Sequence, residues 1–296
     1  MNWNTLNYVV EIAKQRSFSK AAQALYVAQP SLSQSIQALE RELGTPIFDR
    51  SKSPIKLTYA GELFVSWANQ ALLTREQTFR QISDVTEGAK TRLVVGMGFS
   101  RSAFLFPNII AEFRRLRPNC TLILEENSTN LLLESDDLDL LIDVPHDESL
   151  MSESVVVAEE RMMLAVPKSF DFIAVEHEGD YPVLRLSDYS KCPFVMLSEG
   201  QMLRNVCLSL CSQEGFVPKT ALECRSLQTA YSMAEAGIGV TLVPELVVRH
   251  ADIAQKLRFA VIGETPTVRK IAATYRKDRY LTDDAKVLIE LMKNML

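Results

Sequence analysis

The hydrophobic period of this chain changes once, close to Arg92, and that change excludes a single repeated architecture. Up to about residue 90 the apolar residues recur three and four apart, the spacing of helices with one buried face. Beyond it, runs such as "LVVGMGF" and "CTLILEE" alternate with helical stretches such as "PNIIAEFRRLR". Strand–helix–strand order of this kind implies a parallel sheet with helices on its faces. A chain of 296 residues is also too long for one ordinary core and suits two or three units.

In the helical part, Leu6, Val9, Val10 and Ala13 mark a first helix. Ser17 can cap a second, whose apolar face is Phe18, Ala21, Ala22 and Leu25. A break follows at Tyr26–Gln29, and Pro30 suits the first turn of a third helix. There Leu32, Ile36, Leu39 and Leu43 share the inward face, and Gln34, Gln37 and Arg41 point the other way, flanked by Ser33 and Ala38. Gly44 ends it. From Ser19 to Glu40 the stretch "SKAAQALYVAQPSLSQSIQALE" carries one lysine and one glutamate. Its outward positions hold short neutral hydrogen-bonding groups instead of the usual charges. A helix-turn-helix and a plain helical hairpin in a larger core both fit this local pattern. In the first case the absence of carboxylates avoids repelling phosphates. Gln can pair with adenine edges, and Ser can reach bases or phosphate. The helix start at Pro30–Ser31 offers N–H groups and a positive dipole end to a phosphate.

"PIFDRSKSPIKLT" then reads as two short strands around a turn, with Arg50, Lys52 and Lys56 clustered on it. As a wing, it would grip a nucleic-acid backbone without reading sequence; a solvated basic loop is the plainer alternative. Charge supports the wing. Residues 1–58 hold seven Lys/Arg against four Asp/Glu, an excess of three positive charges in a chain of net charge −5. A basic head on an acidic body is the asymmetry of a small DNA reader joined to something else. Thr58 can cap a helix of about 27 residues with Leu63, Phe64, Trp67, Ala71 and Leu72 facing one way and Phe79, Ile82 and Val85 continuing the stripe. Such a stripe needs a partner, most simply the same helix of another subunit. Glu87–Lys90 reads as a hinge.

The segment "FSKAAQALYVAQPSLSQSIQALERELGTPIFDRSKSPIKLTYAGE" resembles the DNA-binding end of LysR-type transcriptional regulators in its "SKAA..L", "QPSLSQSI..LE.ELG", "F.R" and "LT.AG" elements, in order and spacing. The resemblance implies winged helix-turn-helix heads on an interrupted palindrome of double-stranded DNA, a homodimer-based homotetramer, contact with RNA polymerase, and an effector-binding body. It further implies that Gln29, Pro30, Ser33, Gln34, Gln37 and Arg50 approach DNA. Lys52 joins them from its place in the wing. That wing departs from the family, with Lys52 and Pro54 where other basic residues and glycine are frequent.

In the alternating part, "NLLLESDD" and "LDLLIDV" repeat the β-α-β order, and "SVVVAEERMMLAVP" is expected to supply two strands leading out of the first unit. "PFVML", "QMLRNVCLSLCSQ", "KTALEC", "SLQTAYSMAEAG" and "GVTLVPELVV" build a second unit, and "TVRKIAATYR" with "DDAKVLIELMKNM" returns to the first. The expected class is α/β: a mostly helical winged head (1–58), a linker helix and hinge (59–90), and two lobes (91–163 with 268–296, and 164–267) resembling periplasmic binding proteins. "GFVPKTALECRSLQTAYSMAEAGIGVTLVPE" resembles the second regulatory lobe of the same family.

Ligands of such folds sit at the carboxyl ends of the strands. That rule selects Ser100, Arg101, Ser128, Thr129, Ser198, Gln201 and Ser226. The resemblance implies effector hydrogen bonds for Ser100 and Thr129. Ser226 also suits an ordinary N-cap, and Arg101 can pair with an anionic effector or remain a solvated charge. "LSEGQMLRNVCLSLC" resembles the redox segment of the peroxide-sensing members, but Met202 stands where their reactive cysteine would be, so Met202 is read as lining the cleft or packing beneath it and no thiol switch is expected.

Five cysteines without framework spacing fit reduced thiols, and no run reaches membrane-span length. The start has neither a basic n-region nor a small-residue cleavage site, so a cytoplasmic location is expected. No cofactor or metal is expected: the histidines are scattered, "VGMGFS" lacks the third glycine of a dinucleotide fingerprint, and GxSxG, HExxH and P-loop motifs are missing. The expected function is an effector-responsive transcriptional regulator. A regulator with an empty cleft and an enzyme on a two-lobed scaffold are the alternatives.

Overall fold

The computed structural model describes residues 2–86, 88–133, 135, 137–145, 152–173, 176–178, 180–250, 256–263 and 267–296. It divides into two compact units, Met1–Glu87 and Gly88–Leu296.

The first unit contains α1 (Trp3–Gln15), α2 (Phe18–Ala24), α3 (Gln29–Leu43), β1 (Phe48–Asp49), β2 (Lys56–Leu57) and α4 (Tyr59–Val85). Side chains start three of the helices. Asn2 accepts the Thr5 N–H at 2.9 Å, Ser17 accepts that of Lys20 at 3.4 Å, and Thr58 accepts that of Gly61 at 3.0 Å. Each such cap contributes about 1 kcal/mol. Val9, Ile12, Phe18, Ala21, Ala22, Leu32, Ile36, Leu39, Ile47 and Phe48 form one core. Leu43, expected on the inward face, is exposed instead. It is the last residue of α3, and the chain turns at once through Gly44 at φ 72°. Gly61 shows why α4 can start where it does. A Cβ there would lie 2.0 Å from the Ile47 carbonyl oxygen, so only glycine lets the helix meet the wing. α1 packs along α4, which gives part of the long helix a partner in its own unit. Leu63, Trp67, Phe79, Ile82 and Val85 remain exposed.

The second unit contains β3 (Thr91–Met97), α5 (Phe99–Phe104), α6 (Phe106–Leu116), β4 (Cys120–Glu126), α7 (Thr129–Leu133), β5 (Leu140–Asp143), β6 (Ser152–Pro167), β7 (Glu176–Glu178), β8 (Tyr181–Leu184), β9 (Pro193–Leu197), α8 (Met202–Gln213), β10 (Lys219–Cys224), α9 (Leu227–Glu235), β11 (Thr241–Pro244), α10 (Glu245–His250), β12 (Leu257–Ile262), β13 (Val268–Arg276) and α11 (Asp283–Met295). In lobe 1, β3 lies between β4 and β5, parallel to both, and β13 runs antiparallel to β5. In lobe 2, β9 and β10 pair in parallel, and β11 and β12 flank the end of β6.

The expected two strands of "SVVVAEERMMLAVP" are one strand of 16 residues. Residues Ser152–Arg161 of β6 pair with β13, whereas Met162–Pro167 pair with β11 and β12. The polar pair Glu159–Glu160 resembles a break in one dimension, but in the sheet it is where β6 passes from one lobe to the other. β6 and β13 are thus the two strands on which both lobes hang. A second link comes from α5 and α10: Phe104 packs against the cluster that holds the lobe 2 residues Tyr231 and Val243, and Leu246 packs in the cluster of the lobe 1 residues Leu105 and Phe106.

Candidate functional site

At the start of α3 the backbone lacks a side-chain cap, because Ala28 occupies the cap position. Gln29, Pro30, Gln34 and Gln37 are exposed and Ser33 is half-buried. The Ser19 hydroxyl donates to Gln29 Oε1 at 3.1 Å, tying the first residue of α3 to α2. Glu40, the one carboxylate of the Ser19–Glu40 stretch, does not face outward with the glutamines. Its Oε1 accepts the N–H groups of Ile47 (3.0 Å) and Phe48 (3.3 Å), and its Oε2 accepts Arg50 Nη2 at 3.0 Å. It therefore fastens the wing to α3 and removes its charge from the outer face. The Arg50 guanidinium also lies 4.9 Å from the centre of the Phe18 ring. Lys52 and Lys56 are exposed on the wing. Hydrogen bonds from the Ser51 hydroxyl and N–H hold Asp49 below the usual carboxylate pKa, helped by Lys52 and Lys56.

In the second unit the expected effector residues stand at strand ends. Ser100 and Arg101 lie in α5 after β3, and Thr129 opens α7 after β4. Asp143, the buried last residue of β5, joins two of them. It pairs with Arg101 through one oxygen and accepts the Thr129 hydroxyl on the other. Ser100 is half-buried beside Arg101, and Ser128 is exposed, its N–H bonded to Asn127 Oδ1. The charge of Arg101 is thus taken up inside the protein. Further along the crossing strands, buried Glu160 pairs with Arg269. Arg269 Nη1 points to the Met202 sulfur at 3.8 Å. Burial pushes the Arg269 guanidinium below its usual pKa; Glu160 opposes this, and the cation of Arg101 adds to it. Two cations and two carboxylates therefore stand near one another where β6 and β13 cross.

Ser198, Gln201 and Ser226 form a separate group in lobe 2. The Ser198 N–H bonds the Cys224 carbonyl at 2.8 Å, and Gln201 Nε2 bonds the Arg225 carbonyl at 3.4 Å. Ser226 occupies the cap position of α9, but its side chain makes no capping bond, contrary to expectation. It is exposed, and its hydroxyl faces solvent competition that a buried cap avoids.

Sequence reasoning missed Asp143, Glu160, Arg269 and the wing role of Glu40. The signal for the first three was charge set within an otherwise apolar strand, one side chain in "LLID", two in "VRKIAA" and three in "AEERMM". Cys207 and Cys211 are buried beside Met196, Leu210 and Phe194 and pack as small apolar groups. Burial pushes the Cys120 thiol up to about 11. Among the described residues, no group of three or more His, Cys, Asp and Glu is placed to hold a metal ion, and no helix is long and apolar enough to cross a membrane. Asp136 and His146 lie outside the described residues.

Comparison with known proteins places this geometry. Residues 86–296 match the LysR substrate binding domain, and residues 3–62 match the bacterial regulatory helix-turn-helix of the lysR family. The transcriptional regulator YcgK of Bacillus subtilis is 30% identical over 312 residues, covering 100% of this chain and 95% of that protein. The hydrogen peroxide-inducible genes activator of Dickeya chrysanthemi is 31% identical over 279 residues, covering 93% of this chain and 90% of that one. A full-length OxyR variant from Pseudomonas aeruginosa superposes with a TM-score of 0.71 at 25% identity, over 99% of this chain and 95% of that one. CbnR in complex with its target DNA shares the fold, with a TM-score of 0.60 at 22% identity and full coverage of both chains. With the regulatory helix-turn-helix at its start and the substrate binding domain filling the rest, the chain belongs to the LysR family of DNA-binding transcriptional regulators.

Proposed function

We propose that this regulator reads an interrupted palindrome with paired heads and changes its DNA geometry when a small molecule enters the cleft between its lobes. The observation that carries the DNA half is the outer face of α3. Gln34 and Gln37 are exposed there, while Glu40, three residues beyond Gln37, is turned onto the wing. Gln29, Pro30, Ser33, Gln34 and Gln37 are assigned to the groove. Arg50, held by Glu40 and Phe18, and Lys52 are assigned to phosphates. The exposed Leu63, Trp67, Phe79 and Ile82 of α4 support pairing of chains into dimers, and dimers into tetramers. Two-fold symmetry in the protein would be mirrored in the operator.

Ser100, Thr129, Ser198, Gln201 and Ser226 are assigned to the effector, since they follow the carboxyl ends of strands. Arg101 is given a framing role, because Asp143 already neutralises it. Arg269 is likewise held by Glu160, so an anionic effector would compete with a carboxylate at either cation. Closure of the lobes on the ligand would bias subunit packing and so the spacing of the heads. RNA polymerase is the proposed downstream partner, in the cytoplasm. Genome-wide mapping of bound DNA, with wild type and Gln34→Ala side by side, tests the reading. Wild type should enrich sites with a common dyad and the variant should lose that preference. Enrichment without any shared sequence, or equal maps for both proteins, refutes it.

A further inference from the structure

Met202 opens α8 in lobe 2, and its sulfur faces the guanidinium of Arg269 on β13. The chain has ten methionines. Met97, Met162, Met163, Met196 and Met292 are buried in the cores. Met202, Met233 and Met295 are half-buried, and of these Met233 and Met295 pack against apolar clusters. Met202 instead lies 3.8 Å from Nη1 of a cation. A thioether is a weak acceptor, so this contact leaves the guanidinium poorly satisfied. Nη2 of Arg269 is held by Glu160, but Nε makes no hydrogen bond among the described residues, although the side chain is only 9% exposed. A buried charged donor without an acceptor is costly, and each such case calls for an explanation. The residue beside it that can become a strong acceptor is Met202.

We propose that Met202 is a redox-responsive modification site, oxidised to the sulfoxide by a two-electron oxygen donor, with Arg269 receiving the new oxygen. With hydrogen peroxide, a sulfur lone pair attacks one peroxide oxygen and the O–O bond breaks. The departing hydroxide takes the proton of the transferred oxygen. Sulfide and peroxide thus become sulfoxide and water, sulfur losing two electrons and peroxide gaining them. With hypochlorous acid the same oxygen transfer releases chloride and a proton. The Arg269 guanidinium is placed to stabilise the departing anion and then to donate to the sulfoxide oxygen. The product is polar and reducible, which suits a switch more than damage.

The change has a route to both lobes. Glu160 and Arg269 stand directly opposite in the β6–β13 register, and these are the strands on which the lobes hang. Donors drawn toward a sulfoxide loosen the hold on Glu160, which is buried and has Arg269 as its partner in the ion pair. The crossing strands must then readjust. No metabolite in the cleft is required, so the idea stands or falls apart from the proposed effector.

The test uses purified full-length protein treated with hydrogen peroxide in one arm and hypochlorite in another, followed by peptide mass mapping. Met202 should gain one oxygen several-fold faster than Met233 and Met295, and Arg269→Gln should erase that lead. Deuterium uptake across β6 and β13 should change on oxidation. Met202→Gln, which places an amide oxygen near the guanidinium, should shift uptake in the same direction without oxidant, while Met202→Leu should not respond. A lead in the hypochlorite arm alone supports the proposal and assigns the oxidant to the hypohalous acids. Oxidation of Met202 no faster than Met233 or Met295 in both arms overturns it. So does oxidation that leaves β6 and β13 unchanged. Should Arg269→Gln fail to fold, the Met202→Gln and Met202→Leu pair, with Arg269 intact, decides the question.

Discussion

Replacing Glu40 by alanine removes the strut between α3 and the wing, and its cost can be worked from the contacts. Two backbone donors, from the buried residues Ile47 and Phe48, lose their acceptor. A buried donor left unpaired costs about 1–3 kcal/mol. The Glu40 side chain is 14% exposed, so some water can enter, and about 1.5 kcal/mol for each donor is reasonable. The pair with the more exposed Arg50 adds only about 0–1 kcal/mol. The total is about 3–4 kcal/mol. Both tryptophans of the chain, Trp3 and Trp67, lie in the first unit, so tryptophan fluorescence in urea follows the head within the intact protein. With a slope of about 1–1.5 kcal/mol per molar for a unit this small, the fluorescence midpoint should fall by about 2–4 M. Glu40→Gln keeps one acceptor oxygen and should fall by less than half of that. A shift below about 0.5 M in the alanine variant would mean that the wing does not depend on this carboxylate.

Four further outcomes are expected. Gln34→Ala should reduce discrimination between a mapped site and its scrambled version by about 1–3 kcal/mol in mobility shifts. Lys52→Ala should weaken both DNAs alike and reduce the slope of log affinity against log salt by about 1. Thr129→Val deprives buried Asp143 of a donor and should cost about 1–3 kcal/mol in unfolding of the body, and it should blunt any effector titration while leaving DNA binding by the head intact. Glu245 concerns pH. Burial alone would raise its pKa, but the two-pronged Arg161 and the nearby Arg249 prevail and hold it below the ordinary value. Its contribution is then complete above the ordinary glutamate value of 4.5 and is lost as pH falls through the lower folded value. Glu245→Gln should destabilise by about 2–3 kcal/mol at neutral pH, less than a fully buried pair because both arginines reach solvent, and the gap to wild type should close in acid. A gap that is constant down to the acid limb would contradict the pairing.

The reading of particular elements shows where sequence reasoning ends. The capped helices, the wing and the order of strands and helices depend on neighbours three or four residues apart, or on alternation within a run, and one dimension carries that information. β6 was misread as two strands because a charged pair in mid-run resembles a boundary, although it marks a change of partner strand. Arg101 could be placed at a strand end, but not paired. Asp143 is 42 residues away in sequence, and Glu160 is 109 residues from Arg269.

The pattern of apolar residues and caps by itself determined which segments form each element, and the family motif determined the kind of molecule. Only the tertiary structure decided which charges remain available for a ligand. That is a property of partners brought together by the sheet, and an ion pair between distant strands leaves no period in the chain.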